Sequence, residues 1–469
     1  LKVNRCNLKA GLRLAIKPKN LMIDPRMTEK QIMRPSLAVK IGAASLLILS
    51  GCVLLAQQPP VNGSGAFATG QYRNLFVEAG HSQAEVTKKV NAVFQQFFYG
   101  DPGTQAVYYA AGINTNGALA YIYDTGNRDV RSEGMSYGMM IAVQLNKKTE
   151  FDSLWNWART YMYHDSPTHP SYGFFSWSMK TNGTPHDEMA APDGEEYFAT
   201  SLYFASGRWG NGHGIYDYRA EADQLLTNME HRDWIAGRTY NGTKTVGAIF
   251  DTQRHMVRLT PDKKNCNHTD PSYHLPAFYE LWARCGPKAD RAFWEQTAAT
   301  SRDFFQRAAN PGTGLTPDFA EFDGTPFSAP WNRQSTNFDF DAWRTAMNWS
   351  VDWAWWAKDP RERQLTDRLQ AFFASQGMTN YVNQYTLDGK PLSTPSTAHS
   401  PGLVAMNATA GLSATQPLAH DFVEELWNTP VPAGQWRYYD GLLYFMGLLH
   451  CSGEFRIWPP QTNVPNRSS

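Results

Sequence analysis

Three acidic residues stand in settings that suit acid–base chemistry. Glu133 lies in RSEGMSYGMM, Asp193 in APDGEEYFA and Asp341 in NFDFDAWRTAMNW. Each falls at or just before a run of apolar residues with helical period. A carboxylic acid that keeps its proton can donate it, and an ionised one can accept a proton. Such a set therefore offers the parts of a proton-transfer site. Taken singly, each residue could merely cap its helix, because Asp and Glu satisfy free N–H groups there and complement the helix dipole. The reading as a site depends on the three meeting. A helix start by itself lowers the pKa of Glu133. A nearby anionic Asp193 pushes it back up, because two close carboxylates resist joint ionisation.

Convergence requires a scaffold that brings distant helix starts to one place. Helix-period patterns mark twelve segments: 83–99, 133–146, 151–163, 195–208, 217–231, 277–286, 289–309, 340–358, 360–377, 402–414, 418–428 and 438–452. Alternation of the strand type is scarce. At KDPRE, Asp359 can cap a new helix and Pro360 suits its first turn. ARCGPKADRAF breaks at Gly286-Pro287 and restarts at once. The helices come in close pairs, divided by the long loops 164–194, 232–276 and 310–339. Six pairs predict an all-α fold, an (α/α)6 barrel with one inner and one outer helix per pair. Equivalent helix starts then point to one end of the cavity, and the long loops gather there. No fixed sequence repeat supports a plain helical solenoid.

Composition narrows the partners. Acidic and basic residues are equal in number, 43 each, so no nucleic-acid surface is suggested. The 16 Trp, 22 Tyr and 25 Phe exceed ordinary use. Those outside the core suit stacking on flat, weakly polar surfaces such as sugar rings. Residues Leu37 to Leu49 form a short apolar stretch after Arg34 and read as an export signal. It ends Leu49-Ser50-Gly51-Cys52, similar to a bacterial lipobox, so the expected product is a lipoprotein anchored through Cys52 in a bacterial membrane. The chain then divides into an extension at 1–32, a signal at 33–52, a Pro/Gly/Ser linker at 53–70, one domain at 71–458 and a disordered tail at 459–469. Cys266, Cys285 and Cys451 allow at most one disulfide and contain no CxxC pair. His255, His268 and His274 lack a metal-site spacing such as HExxH, so no metal or other cofactor is expected.

Four blocks carry a resemblance: DVRSEGMSYGMM, APDGEEYFA, DPSYHLPAFYELWA and RYYDGLLYFMGLLHCSGEFRIW. Together they resemble glycoside hydrolase family 8, and within it the reducing-end xylose-releasing exo-oligoxylanases, from about Gly65 to Trp458. The family implies an (α/α)6 barrel and inverting hydrolysis of β-1,4-linked sugars, here xylo-oligosaccharides. It implies Glu133 as general acid, Asp341 as general base, and Asp193 as a third acid that holds the sugar at the cleavage point. It further implies that Tyr273 helps to place the attacking water and that Trp177 is a platform under the substrate. Asp339 rivals Asp341, and the Asp341-x-x-Arg344 spacing favours the latter. Tyr137 and Arg344 join Trp177 as expected substrate-binding residues. Inversion requires roughly 6.5–9.5 Å between acid and base, so that a water fits between them. Exo-acting relatives carry Leu-His-Pro before a Gly-Leu. Here TAHSPGLVAMNA keeps His399 at the same distance from Gly402-Leu403, with Ala398 and Ser400 on either side of it. His399 is thus expected to bond the reducing-end hydroxyl, which points to release of single xylose units. Endo-xylanase activity and a non-catalytic glycan-binding lipoprotein are the alternatives.

Overall fold

The computed structural model describes residues 64–393 and 399–460. The extension at 1–32, the signal at 33–52 with Cys52, Ala398 and the tail beyond 460 lie outside the described residues. Among the described residues, twelve helices of ten or more residues follow one another in chain order. They are α1 (Gln83–Tyr99), α2 (Ser132–Gln144), α3 (Lys148–Trp157), α4 (Pro192–Trp209), α5 (Tyr218–His231) and α6 (Pro276–Cys285). The second half comprises α7 (Arg291–Ala308), α8 (Trp343–Trp356), α9 (Arg361–Ser375), α10 (Pro401–Ala410), α11 (Ala419–Asn428) and α12 (Arg437–Cys451). All twelve expected segments are present, and the fold is the all-α barrel.

The two classes of helix differ in which sides they bury. Every residue of α2 except Glu133 is buried, as is nearly all of α4, α8 and α12. A helix apolar on all sides belongs inside. Helices α1, α5, α7, α9 and α11 bury one stripe and leave the other more open, whereas α3 buries all of its second half. The inner ring runs α2–α4, α6–α8–α10–α12 and back to α2. Side-chain bonds span the α4–α6 seam: Tyr279 donates to Glu196 at 2.5 Å and Trp282 to Thr200 at 3.1 Å. One buried ion cluster fastens the outer layer to the inner one. Arg302 on α7 grips Asp352 on α8 at 2.6 and 2.8 Å, and Glu280 on α6 at 2.8 Å.

The boundaries follow local signals. Ser82 and Glu85 form a reciprocal capping box on α1. Asp359 accepts the Arg361 N–H at 2.9 Å, at the start of α9. A π-helical turn, Ala158–Met162, continues α3. Two differences from the sequence reading stand out. Residues Ala66–Thr69, inside the stretch read as linker, form a helical turn with Ala66 buried and the Phe67 ring 4.5 Å from Trp356. The packed unit therefore begins before residue 71. The loops also carry small antiparallel sheets, among them the hairpin Tyr108–Asn114 with Gly117–Ile122. Short ladders at Val130–Arg131, Ser178–Met179 and Pro185–Asp187 brace the segment leading into α2. Cys266, Cys285 and Cys451 are all free. No helix among the described residues is long and apolar enough to cross a membrane.

Candidate active site

Four inner-helix starts meet around one guanidinium. Glu133 is the second residue of α2, Asp193 the second of α4 and Tyr438 the second of α12, while Asp341 stands two residues before α8. Arg344, in the first turn of α8, reaches back among them and is fully buried. Its Nη1 donates to Asp193 at 2.7 Å, to Glu133 at 3.1 Å and to the Tyr137 hydroxyl at 3.2 Å. Its Nη2 donates to Asp341 and to Ser272, each at 3.0 Å. The planar fork of arginine suits this task, since each nitrogen carries its own donors in fixed directions. Glu133 and Asp341 thus sit on opposite nitrogens of one guanidinium and do not share a nitrogen.

The glycine after each of two acids lets a neighbour approach. A Cβ on Gly134 would lie 2.6 Å from the Tyr438 hydroxyl, which donates to Glu133 at 2.9 Å. A Cβ on Gly194 would lie 2.5 Å from the Ser132 hydroxyl. Any larger residue at position 134 would push Tyr438 off the acid. This explains the small residues around Glu133 in the sequence.

Burial raises the Glu133 carboxyl from 4.5 to about 7. Arg344 opposes that rise, and the Asp193 charge adds to it. The sequence reading gave Asp193 the leading part in raising it; desolvation of the buried carboxyl is the larger cause. Asp193 is likewise raised, again by burial first and against Arg344. Asp341 is the most open of the three, its side chain 35% exposed against 15% for Glu133 and 5% for Asp193. Its main-chain neighbour is also fixed, because the Ala342 N–H donates to Asp318 at 3.0 Å. Asp339 turns elsewhere. It accepts from Phe340 N at 3.0 Å and from Gln384 at 2.7 Å.

The remaining expected residues divide. Tyr273 lies in the tight turn Pro271–Tyr273, its ring 5.7 Å from the Arg344 guanidinium. Ser272, one residue before it, is held by Asn348, which donates to its carbonyl at 2.7 Å. Trp177 borders the start of α2: its carbonyl accepts the Ser132 N–H at 3.0 Å, and the Arg131 guanidinium lies 5.6 Å from its ring centre. His399 is committed within the protein. Its Nδ1 meets the Tyr381 carbonyl and its Nε2 the Glu425 carboxylate, both at 2.8 Å. To bond the reducing-end hydroxyl as expected, His399 would have to exchange one of these partners for the sugar. His274 is fully buried between Thr269 and Ser301, His268 stacks on Phe327, and His255 packs on Phe293, so the three do not form a cluster.

Sequence reasoning missed Tyr438, Ser272, Asp318 and Arg131. Tyr438 had a usable signal, because it starts an inner helix and so faces the same end as Glu133. Ser272 and Asp318 sit in loops, where no period indicates direction.

Comparison with known proteins points to one family. Residues 104–453 match glycosyl hydrolases family 8. The chain is 42% identical over 398 residues to the reducing-end xylose-releasing exo-oligoxylanase Rex8A of Paenibacillus barcinonensis, spanning 85% of this chain and 100% of that one. It is 40% identical to the reducing end xylose-releasing exo-oligoxylanase of Halalkalibacterium halodurans, over 85% of this chain and 97% of that one. The catalytic-mutant xylohexaose complex of a GH8 xylanase from Teredinibacter turnerae superposes with a TM-score of 0.83 at 55% identity, covering 84% of this chain and 100% of that one.

Proposed function

The chain belongs to glycosyl hydrolases family 8, and from that premise we propose how its site works. The protein hydrolyses the β-1,4 bonds of xylo-oligosaccharides and releases xylose from the reducing end. The observation that carries this reading is the Arg344 hub, which gathers three carboxylates from three inner-helix starts and leaves them unequal in burial.

The chemistry follows from that inequality. A glycosidic oxygen leaves readily only when protonated. Glu133, held near 7 by burial, keeps its proton around neutral pH and donates it to that oxygen. Tyr438 and Arg344 hold the carboxyl in place as its charge changes. Asp341, a third exposed across the guanidinium, takes a proton from a water that attacks the anomeric carbon from the opposite face. Asp193 holds the sugar at the cleavage point, Tyr273 helps to place the water, and Trp177 supports a sugar face, with Arg131 behind its ring. The new reducing end therefore appears first as the α-anomer, since one displacement inverts a β-linkage.

Reducing-end-labelled xylohexaose tests the reading. Labelled xylose is the expected main early product. The alternative outcome is internal cleavage. Labelled xylobiose and xylotriose as the main early products would establish it in place of the first.

We further propose export and lipid attachment at Cys52, supported by the lipobox-like Leu49 to Cys52 and the apolar run before it. The full-length protein should then partition with membranes, and Cys52→Ser should release it or block its processing. Wild-type protein without acyl groups by mass spectrometry would refute the proposal.

A further inference from the structure

Two clusters outside the catalytic centre hold three metal-ligating side chains each: His164, His169 and Glu188, and Glu230, His231 and Asp290. The first is already committed. His164 Nε2 meets the Ser176 hydroxyl at 2.9 Å. His169 Nδ1 accepts the Ser171 N–H at 3.1 Å, which leaves the ring proton on Nε2, the atom that faces Glu188.

The second cluster differs. Glu230 and His231 end α5, and Asp290 directly precedes α7. Gly286-Pro287, which breaks the chain after α6, leads into the turn where the Asp290 N–H donates to Pro287 O. His231 Nε2 shares a hydrogen bond with Asp290 Oδ1 at 2.9 Å, which a metal would replace, and lies 3.6 Å from Glu230 Oε1. A tetrahedral zinc with bonds of about 2.0–2.1 Å spaces its ligand atoms by ~3.3 Å, between these two values. The Glu230 side chain is only 8% exposed, and its Oε2 is buried with no hydrogen-bond partner among the described residues. A buried carboxylate oxygen without a partner is costly unless a cation or proton meets it. His231 is half exposed, so its other ring nitrogen can carry the proton that a metal-bound imidazole keeps. A pocket of about 310 Å³, lined in part by Glu230, His231, Trp234 and Phe250, adjoins the cluster and has room for waters on the ion. Two arginines line the same pocket: Arg258 pairs with Asp251 at 3.3 Å, and Arg232 donates to the Pro170 carbonyl while its Nε and Nη1 have no partner among the described residues.

We propose that Glu230, His231 and Asp290 bind one divalent cation of the zinc class, with water completing the shell. One imidazole and two carboxylates form the nitrogen–oxygen set that zinc accepts, whereas calcium and magnesium favour oxygen alone. The ion would fasten the end of α5 to the start of α7, away from the catalytic residues.

The test uses the full chain, stripped with a chelator and titrated with zinc chloride by calorimetry, with melting followed in parallel. One zinc per chain with Kd of ~10 µM or tighter is expected. A rise in Tm of about 2 °C or more should accompany it. Glu230→Gln and His231→Ala should each weaken binding by ~10-fold or more and leave hydrolysis of xylo-oligosaccharides unchanged. His169→Ala should bind as the wild type does. A flat titration up to ~1 mM zinc would overturn the proposal, as would an isotherm unchanged in His231→Ala or one abolished by His169→Ala.

Discussion

Replacing Glu133 with Gln should separate catalysis from stability, in a way that depends on pH. The carboxyl is raised from 4.5 to about 7, by burial first and by the Asp193 charge, against Arg344. Because the folded value lies above the unfolded one, the native state binds this proton more tightly. The stabilisation is complete below about pH 4.5 and is lost as pH rises through about 7. At ~1.4 kcal/mol per unit, the wild type loses ~3 kcal/mol from this group by about pH 8. Gln has nearly the same shape and cannot ionise. It leaves one bond of the Arg344–Tyr438 pair poorly made, at a cost of ~1 kcal/mol. The variant should therefore be slightly less stable than wild type near pH 4 and ~2 kcal/mol more stable near pH 8. At ~2.1 cal/mol/K per residue over roughly 400 residues, that is a Tm about 2–3 °C higher at pH 8. Hydrolysis should fall by ~10²–10⁴-fold at every pH. Scanning calorimetry at about pH 4, 6 and 8 reads the first effect, and xylose release reads the second. A Tm difference that does not change between about pH 4 and 8 would refute the raised carboxyl. Hydrolysis above about a tenth of the wild-type rate would refute its role as acid.

Three other changes probe the same construction. Arg344→Lys keeps the charge but cannot bridge opposite sides of the site, so kcat should fall by ~10²-fold or more with the helical CD signal intact. Gly134→Ala places a methyl group against the Tyr438 ring and hydroxyl; kcat should drop by ~10-fold or more while KM changes little, and Tyr438→Phe added to it should cost little further. Arg302→Met strands Asp352 without its buried partner, while Glu280 keeps Arg284 and Lys358, and should lower stability by ~3–5 kcal/mol in denaturant titration with the kcat of the folded fraction unchanged.

The helices were legible because a buried ring needs apolar residues on all sides and an outer ring needs a stripe, and both leave a period in the sequence. Boundaries such as 83–99 and the break at Gly286 also had local causes, a capping box and a Gly-Pro step. The hairpin at 108–122 was overlooked although Asn116-Gly117 marks a tight turn. The acids were legible from their places at helix starts, and Asp341 over Asp339 from a three-residue step to Arg344. The hub itself was not. That Arg344 binds three acids at once depends on how α2, α4 and α8 close on one another, and no local pattern records it. His399 illustrates the same limit: its distance from Gly402 is visible in the sequence, but its two protein partners, Tyr381 and Glu425, come from elsewhere in the chain.

The unequal exposure of Glu133 and Asp341, 15% against 35%, bears on how the enzyme resets once the bond is cut. A single displacement leaves the spent acid without its proton and the base with one too many. The catalyst must be recharged before it can act again, and the two carboxyl groups do not face the solvent equally. Asp341 is the more open to bulk water. Glu133, less exposed, must be refilled with less access to water. Recharging is therefore a distinct stage of the cycle, slowest in alkaline and weakly buffered media, where proton donors are few. Under those conditions the maximal rate should depend on the concentration of small buffer acids as well as on the bond being broken.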